Sequence, residues 1–374
     1  MSYKTNILII DPIRFRGGSK VATETILRQI DQHKFNITVL TSDNNSWNLP
    51  SVRKLSIFEP KLFRKIEQGI PYFIKHIILS LNIVFAILRT KKTKIVLGAS
   101  GPGVDLSIYL AKRLFNYKIV QLVHGDVAKS KTIGRCLSAS DRTFFLPSAH
   151  PSILEALATI GLSDNVWRKS QNVSEFENGI CKNQWPSPCQ YKTPTILWAS
   201  SLLKWKGLDI LIDALSKMSV ENRPNTHICF IKPLDTLLPI SNNLMKIENV
   251  KWHEEPDNLD RIRASCNIFI STSQNEPFGL SILEAMASGH CVMIPADNAY
   301  WDKTLIHNKN CIKYAPQDPD DLRSKIQFLQ DNPDIIKRIG ACSQSVSLKY
   351  KAEDLHQPII SAISKLHFTA QEST

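Results

Sequence analysis

The sequence predicts an α/β protein of two domains, each a parallel sheet covered by helices. Short apolar runs alternate with amphipathic stretches along the whole chain, the signature of repeated strand and helix units rather than of a sandwich or a bundle. A length of 374 residues is more than one ordinary core encloses and suits two domains of similar size. Between two series of such runs lies a segment, 176–193, that holds Pro186 and Pro188, lacks periodicity and reads as a linker. Two Rossmann-like domains follow, 1–175 and 194–348, with a C-terminal helical segment at 349–374.

In the first domain the runs at 6–10, 35–41, 94–98, 118–123 and 143–146 are dominated by Ile, Val, Leu and Phe and read as strands. In the second, the runs at 195–199, 226–231, 250–252, 267–271, 291–294 and 311–314 read the same way. Helices fill the intervals. No short-period repeat is visible, which argues against a solenoid. Open parallel sheets bind ligands beyond the carboxyl ends of their strands, so two facing sheets would create an interdomain cleft. Site residues are therefore expected just after strands.

A hydrophobic content of 43% and a charged content of 21% are ordinary for a folded protein. The residues before the first strand show no charged-then-apolar leader, so a cytoplasmic protein is expected. The eight cysteines form no Cys-x-x-Cys pair and mostly fall in apolar runs, which suggests reduced core thiols. Cys181 and Cys189 are loosely paired, but with no nearby histidine they do not read as a metal site.

Charge is uneven. Residues 1–190 hold 26 Lys and Arg against 13 Asp and Glu, a net of +13, whereas 191–374 hold 20 against 21, a net of −1. Ten basic residues lie between Arg53 and Lys94, with only Glu59 and Glu67 as acids, around the apolar stretch 70–88. Lys75, His76 and Asn82 interrupt that stretch, so it does not read as a transmembrane span. Two readings stay open: a buried helix with basic ends in solvent, or peripheral contact of the N-terminal half with an anionic membrane. No nucleic-acid module accompanies the charge, so no nucleic-acid partner is expected.

Residues 276–284 read EPFGLSILE. Glu276 falls in the loop after the strand 267–271 and Glu284 two helical turns further on, so both carboxylates can face the strand's carboxyl end. A ligand rich in hydroxyls could bridge them. The amides of Phe278, Gly279 and Leu280 open the helix, where unpaired N–H groups and the helix dipole favour an anion such as a diphosphate. Two glutamates at this spacing alone would also fit a solvated helix face. With the embedded PFG, the preceding STSQN and the following AMASGHCVMIPAD, the stretch resembles the E-x7-E signature of the family 4 (group 1) retaining glycosyltransferases. The resemblance is strongest over 195–315. It implies the GT-B architecture, two Rossmann-like domains facing across an interdomain cleft. The N-terminal domain would bind the acceptor and the C-terminal domain the nucleotide-sugar donor, with a terminal helix crossing back to the first domain.

The resemblance also implies roles. Glu276 would contact the donor sugar and Glu284 the ribose hydroxyls. Lys206, followed by Gly207 at a helix start, would stabilise charge on the leaving diphosphate; a snorkelling surface lysine is the alternative. Five residues before this lysine the family pattern has an arginine, but this chain has Ser201. One cation of the donor site is thus missing, with Lys204, Arg14 or Arg16 as candidate replacements. His124, after the strand 118–123, matches the histidine beside the donor sugar. It would bond a sugar hydroxyl and support an oxocarbenium ion; a strand-end histidine bonded to backbone is the alternative. Gly17 and Gly18 match the double glycine of the first loop, where the backbone approaches the ligand, or else simply form a tight turn. The family's glycine-rich turn in the second domain is not evident, CFIKPLDT standing in its place, and by position the backbone near Trp252 and His253 would hold the nucleobase. Asp318-Pro-Asp320 reads as a helix cap rather than a metal motif. No cofactor and no metal are expected, charge being handled by Lys206 and helix-start amides.

The expected function is a retaining, metal-independent glycosyltransferase. It would move a sugar from a UDP- or GDP-sugar to a glycan acceptor, lipid-linked, in cell-surface polysaccharide or lipopolysaccharide assembly. The alternatives are a nucleotide-sugar epimerase of the same architecture and a degenerate sugar-nucleotide-binding subunit, the latter motivated by Ser201.

Overall fold

The computed structural model describes residues 4–43, 45–90, 93–169, 172–242 and 245–371. The chain forms two compact units, Met1–Asn178 with Glu353–Thr374, and Gly179–Ala352. The first is built on a seven-stranded parallel sheet of β1 (Thr5–Asp11), β2 (Phe35–Thr41), β3 (Val52–Ser56), β4 (Thr93–Gly98), β5 (Lys118–Val123), β6 (Arg142–Phe145) and β7 (Val173–Glu175). Its strand order is β3-β2-β1-β4-β5-β6-β7. The second carries β8 (Thr195–Ser201), β9 (Asn225–Ile231), β10 (Val250–Glu254), β11 (Ile268–Ile270), β12 (Cys291–Pro295) and β13 (Ile312–Tyr314), in the order β10-β9-β8-β11-β12-β13. Both are doubly wound Rossmann-like sheets. Strand order reverses between β1 and β4 in one and between β8 and β11 in the other, and such a switch point is where a crevice opens.

The eleven expected strands all form, with ends displaced by a residue or two. β3 and β7 escaped prediction because neither is an apolar run: VRKLS and VSE sit at the two edges of their sheet. Short or charged edge strands deter pairing with another chain, so their lack of hydrophobic signal follows from their position. The segment 176–193 is mostly not a free tether. From Gly179 onward it belongs to the second unit, where Ile180 bridges to Lys351, Cys189 N–H donates to Ser288 C=O at 2.8 Å and the Tyr191 hydroxyl donates to Gly289 C=O. The last helix, Gln357–Gln371, clusters with the first unit, His367 Nδ1 lying 2.6 Å from Thr5 Oγ1. The eight cysteines are free thiols, six of them buried.

The helix Gly69–Thr90 settles how the apolar stretch 70–88 is used. Only His76, Leu79, Ile83, Ala86 and Ile87 are buried, packing with Leu8, Val96 and Ile119 of the sheet. The buried-helix reading therefore holds for one face alone.

At the carboxyl end of β1, Asp11 is fully buried. It accepts from Trp47 Nε1 at 2.7 Å and Thr41 Oγ1 at 3.0 Å, and it pairs with Lys20 at 2.9 Å. Lys20, also buried, reaches Asp43 at 2.8 Å and donates to Ile13 C=O at 2.7 Å. A buried ammonium needs several acceptors to offset its lost hydration, and here they span three segments and fix the loop that contains Gly17 and Gly18.

Nearby, Asp105 is also fully buried. Its Oδ2 accepts from Gln121 Nε2 at 2.8 Å and Ser100 N–H at 3.0 Å, while Oδ1 has no partner among the described residues. Burial lifts its carboxyl to about 7, with the charge of Asp11 adding to the rise and the bonds from Gln121, Ser100 and Gly101 opposing it. A folded pKa above the unfolded value means the native state binds more protons between the two, so this group makes stability fall as pH rises through roughly 4 to 7. Asp105→Asn keeps an acceptor for Gln121 and cannot ionise. The expected outcome is a variant more stable than wild type by on the order of 1–3 kcal/mol above neutral pH, the difference vanishing near pH 4, in urea melts at several pH values.

Candidate active site

The second unit assembles its site where β8 and β11 end. After Ser201 the chain runs through the turn Lys204–Lys206 to Gly207, whose φ of +70° suits glycine. A Cβ there would lie 2.1 Å from Thr272 C=O, so the loops after β8 and β11 are in backbone contact. Thr272 binds them. Its hydroxyl donates to Lys206 C=O at 2.8 Å and accepts from Trp198 Nε1 at 2.9 Å, while Gln274 N–H donates to Trp205 C=O at 2.9 Å.

The result is a close ion pair, Lys206 Nζ to Glu276 Oε2 at 2.5 Å, with both side chains about 15% exposed. The ammonium also lies 4.0 Å from the centre of the Trp205 ring. A lone carboxylate here would repel any phosphate; paired, it leaves the position neutral. Gly279, at φ +76°, opens the helix Leu280–Ala287 behind the pair, and a Cβ on it would come within 2.9 Å of Glu276 Cγ. The orphan amides of that helix start, Leu280 among them, complete an anion-attracting corner. Phe278 does not present its side chain to the corner. It is buried against Tyr300, Trp301 and Tyr350 at 4.8, 5.3 and 6.0 Å between ring centroids, so only its amide is available, and the aromatic cluster anchors the loop. A hollow lined by Ser271, Ser273, Glu276, Asp297 and Trp301 adjoins the pair.

Glu284 stands apart from this pair. Its Oε2 accepts from Arg263 Nη2 at 2.5 Å, and Arg263 Nη1 donates to Asp260 Oδ1 at 3.0 Å. Arg263 is the residue that sequence reasoning missed. It is buried in the helix Leu259–Ser265 next to Ile262, and an arginine on the apolar side of a helix is the signal that would have found it, since a buried guanidinium requires a carboxylate. Ser201, the last residue of β8, is half-buried. Two of its candidate substitutes are already engaged: Arg14 lies 3.7 Å from Glu59 and Arg16 3.3 Å from Glu24. Lys204 is exposed. On β9 and β10, the His227 and His253 rings stack with Nδ1 and Nε2 3.0 Å apart, and burial holds both imidazoles below their ordinary range.

In the first unit, His124 follows β5 as expected. Its Nε2 lies 3.3 Å from Thr23 Oγ1, on the helix Gly18–Leu27 that Gly17 caps, so the double glycine and the histidine share one end of the sheet. Burial, and then the charge of His356, lower the imidazole to about 3, so it is neutral at physiological pH. Gly17 has an ordinary extended φ of −88°, and a Cβ on Gly18 would meet nothing within 4 Å. A Cβ on Gly17 would touch the Phe15 ring at 3.4 Å, and the short turn that Gly17 N–H closes onto Phe15 C=O at 3.1 Å requires no positive φ at either glycine. Asp318 caps its helix, accepting from the N–H groups of Asp320 and Asp321 at 2.9 and 3.0 Å. Among the described residues no group of three or more His, Cys, Asp or Glu is arranged to hold a metal ion.

Gly207→Ala is expected to cost about 2–4 kcal/mol in denaturant melts, because it combines a left-handed φ with a backbone collision. Gly18→Ala should cost less than ~1 kcal/mol.

Residues 182–345 match the model of the family described as glycosyl transferases group 1. Over 157 residues the chain is 25% identical to the uncharacterized glycosyltransferase MJ1178 of Methanocaldococcus jannaschii, a match spanning 42% of this chain and less than half, 44%, of that protein. Among solved structures it is similar to Anabaena HepE in complex with UDP-glucose, with a TM-score of 0.70 and 17% identity over 96% of this chain and 99% of that one. It is also similar to WaaG, described as a glycosyltransferase involved in lipopolysaccharide biosynthesis, with a TM-score of 0.65 and 12% identity over 96% and 99%. At such identities the structural likeness establishes the GT-B fold. The chain thus has the GT-B fold, and its segment 182–345 resembles the glycosyl transferases group 1 family.

Proposed function

We propose that this protein is a retaining glycosyltransferase that moves a hexosyl group from a nucleoside diphosphate sugar, UDP- or GDP-linked, to a hydroxyl of a glycan acceptor. The observation that carries the reading is the Lys206–Glu276 pair, set at a topological switch point beside a helix start. In the transfer, the acceptor oxygen bonds to the anomeric carbon, the bond from that carbon to the diphosphate oxygen breaks, and the acceptor proton passes to the leaving phosphate. Negative charge grows on the diphosphate and positive charge on the sugar ring. Lys206 and the amides of Phe278, Gly279 and Leu280 stabilise the first, and the carboxylate of Glu276 the second, without a metal ion. His124, kept neutral, can bond a sugar hydroxyl while bringing no standing positive charge against an oxocarbenium ion. Glu284, oriented by Arg263, accepts from the ribose hydroxyls through its remaining oxygen.

The acceptor is a lipid-linked glycan at the inner face of a cytoplasmic membrane, in cell-surface polysaccharide or lipopolysaccharide assembly. The net charge of +13 over residues 1–190 and the likeness to WaaG support this part. A second reading, sugar-nucleotide binding without turnover, is favoured by Ser201, where no cation stands.

The two members of the pair give opposite expectations in calorimetry with UDP and GDP. Lys206→Ala removes a cation and uncovers Glu276, so nucleotide affinity should fall by roughly 10–100-fold. Glu276→Gln releases Lys206 and should bind nucleotide at least as well as wild type, while donor turnover falls by at least ~100-fold. Equal loss of nucleotide binding in both variants would refute the assignment.

Ser201→Arg restores a second cation near the phosphates. Nucleotide affinity is expected to rise about tenfold, in the presence of EDTA as in its absence. Wild-type protein that binds nucleotide but turns over no donor with any lipid-linked acceptor, and gains turnover only with Arg at 201, would favour the binding-only reading.

A further inference from the structure

The helix Gly69–Thr90 presents to solvent a face that the donor chemistry does not use. Ile70, Phe73, Ile77, Leu81, Phe85 and Leu88 are 45–77% exposed. At 100° per residue they fall within an arc of about 120°, and they run for about 27 Å along the helix. No charged side chain falls in that arc. Phe58 and Leu62, 71% and 79% exposed, extend the apolar surface from the preceding segment, which Asn82 fastens to the helix by bonds to both Phe58 C=O and N–H at 2.9 and 2.8 Å. A continuous apolar surface of this extent is unusual on a monomer and marks an interaction site.

We propose that this face lies in the headgroup region of an anionic lipid bilayer, with the helix axis parallel to the membrane. The flanks fit that occupant. Ten basic residues lie between Arg53 and Lys94, of which Arg53, Lys54, Lys61, Lys65 and Arg89 are exposed, Lys61, Lys65 and Arg89 within a few residues of Leu62, Ile70 and Leu88 in the chain. Of the two acids there, Glu59 is buried between Arg14 and Lys75, at 3.7 and 3.4 Å, which leaves Glu67 as the exposed one. A second copy of the chain docking on the same face would bring like charges together, whereas acidic headgroups neutralise them. Spanning is excluded by packing. The helix is long and apolar enough to cross a bilayer, yet Leu79, Ile83 and Ala86 on its opposite side are held in the core of the first unit. The helix lies on the membrane rather than through it. The inference rests on the lipid-linked-acceptor reading for its purpose, since an enzyme working on such an acceptor gains by being held at the surface where that acceptor resides.

Flotation of the full chain with vesicles of phosphatidylcholine alone, or mixed with phosphatidylglycerol, tests it. Wild type is expected to float with the mixed vesicles and not with the neutral ones, and less so as salt rises. The double variant Ile77→Glu with Leu81→Glu, which changes only exposed positions, should lose binding by at least about a hundredfold, and the triple variant Lys61→Glu, Lys65→Glu and Arg89→Glu by a similar factor. Phe85→Trp should show a blue-shifted emission on adding mixed vesicles. Wild type that stays at the bottom with every vesicle overturns the proposal, as does flotation unchanged by the double variant. A wild-type dimer in light scattering that the double variant converts to monomers, without flotation, assigns the face to self-association instead. Nucleotide calorimetry on the same samples separates the two readings: loss of flotation with nucleotide binding intact concerns this surface alone, and absence of nucleotide binding in wild type concerns the transferase reading alone.

Discussion

One hydroxyl holds the candidate donor corner together. Thr272 gives its single proton to Lys206 C=O and takes the indole proton of Trp198, so it joins β8, the turn after β8 and the loop after β11. Gly207 sits beside it with no room for a Cβ. Two loops that leave different strands are thereby locked backbone to backbone, which places Lys206 against Glu276 although 70 residues separate them. A flexible lysine needs such support. Its ammonium is a point charge on a stem with several rotatable bonds, and a fixed backbone and a fixed counter-ion are what hold it in one place.

The two carboxylates of the E-x7-E stretch are chemically alike, but their partners divide their work. Glu276 is held by a lysine, whose single charge can turn from a carboxylate to an incoming phosphate without leaving a planar geometry behind. Glu284 is held by the buried guanidinium of Arg263, whose fork also grips Asp260. Arginine in that setting is fixed, because releasing either acid would strand a desolvated charge. The first pair is therefore a device that can rearrange around an anion. The second is a rigid mount that presents one carboxylate oxygen.

The fold was legible because parallel strands buried on both faces must be apolar runs, and the interior strands of both sheets are of that kind; β10, an edge strand with no buried residue, was found only through its Val and Trp. What stayed hidden lacked that signature: β3 and β7 are edge strands with one flank in water, and nothing in VRKLS or VSE requires burial. In the site, Lys206, Gly207 and Glu276 were legible from motifs that follow strand ends. Arg263 was passed over: its place beside Ile262 on the apolar side of a helix is a signal of burial, but nothing local names Glu284, 21 residues on, as the carboxylate it meets. Phe278 stood inside the motif, yet its ring turned out to be packing: three aromatics from two other segments meet around it, a fact that no local pattern records. The composition of 176–193 pointed to the connection between domains, and the boundary at Asn178 and Gly179 falls inside it; that Tyr191 and Cys189 pin its later part to the turn at Ser288 and Gly289 is a long-range contact invisible to proline counting.

The helix Gly69–Thr90 shows why hydropathy alone could not choose between core and surface. Its apolar residues cover nearly its whole circumference, so composition gives the same answer for a buried helix, a spanning helix and one lying at an interface. What distinguishes them is which face the rest of the chain claims. The sheet of the first unit claims the side with Leu79 and Ile83, and the polar residues that interrupt the stretch lie off the exposed arc: His76 is buried in the unit, Lys75 pairs with Glu59, and Asn82 bonds to Phe58. Lys75 and Asn82 are thus engaged and His76 is turned into the unit, and the arc left outside is wholly apolar. A soluble helix would have placed its charges on that arc. That this one turns Lys75 and His76 off the arc, with basic residues in the flanking sequence, is the arrangement the proposed bilayer contact calls for.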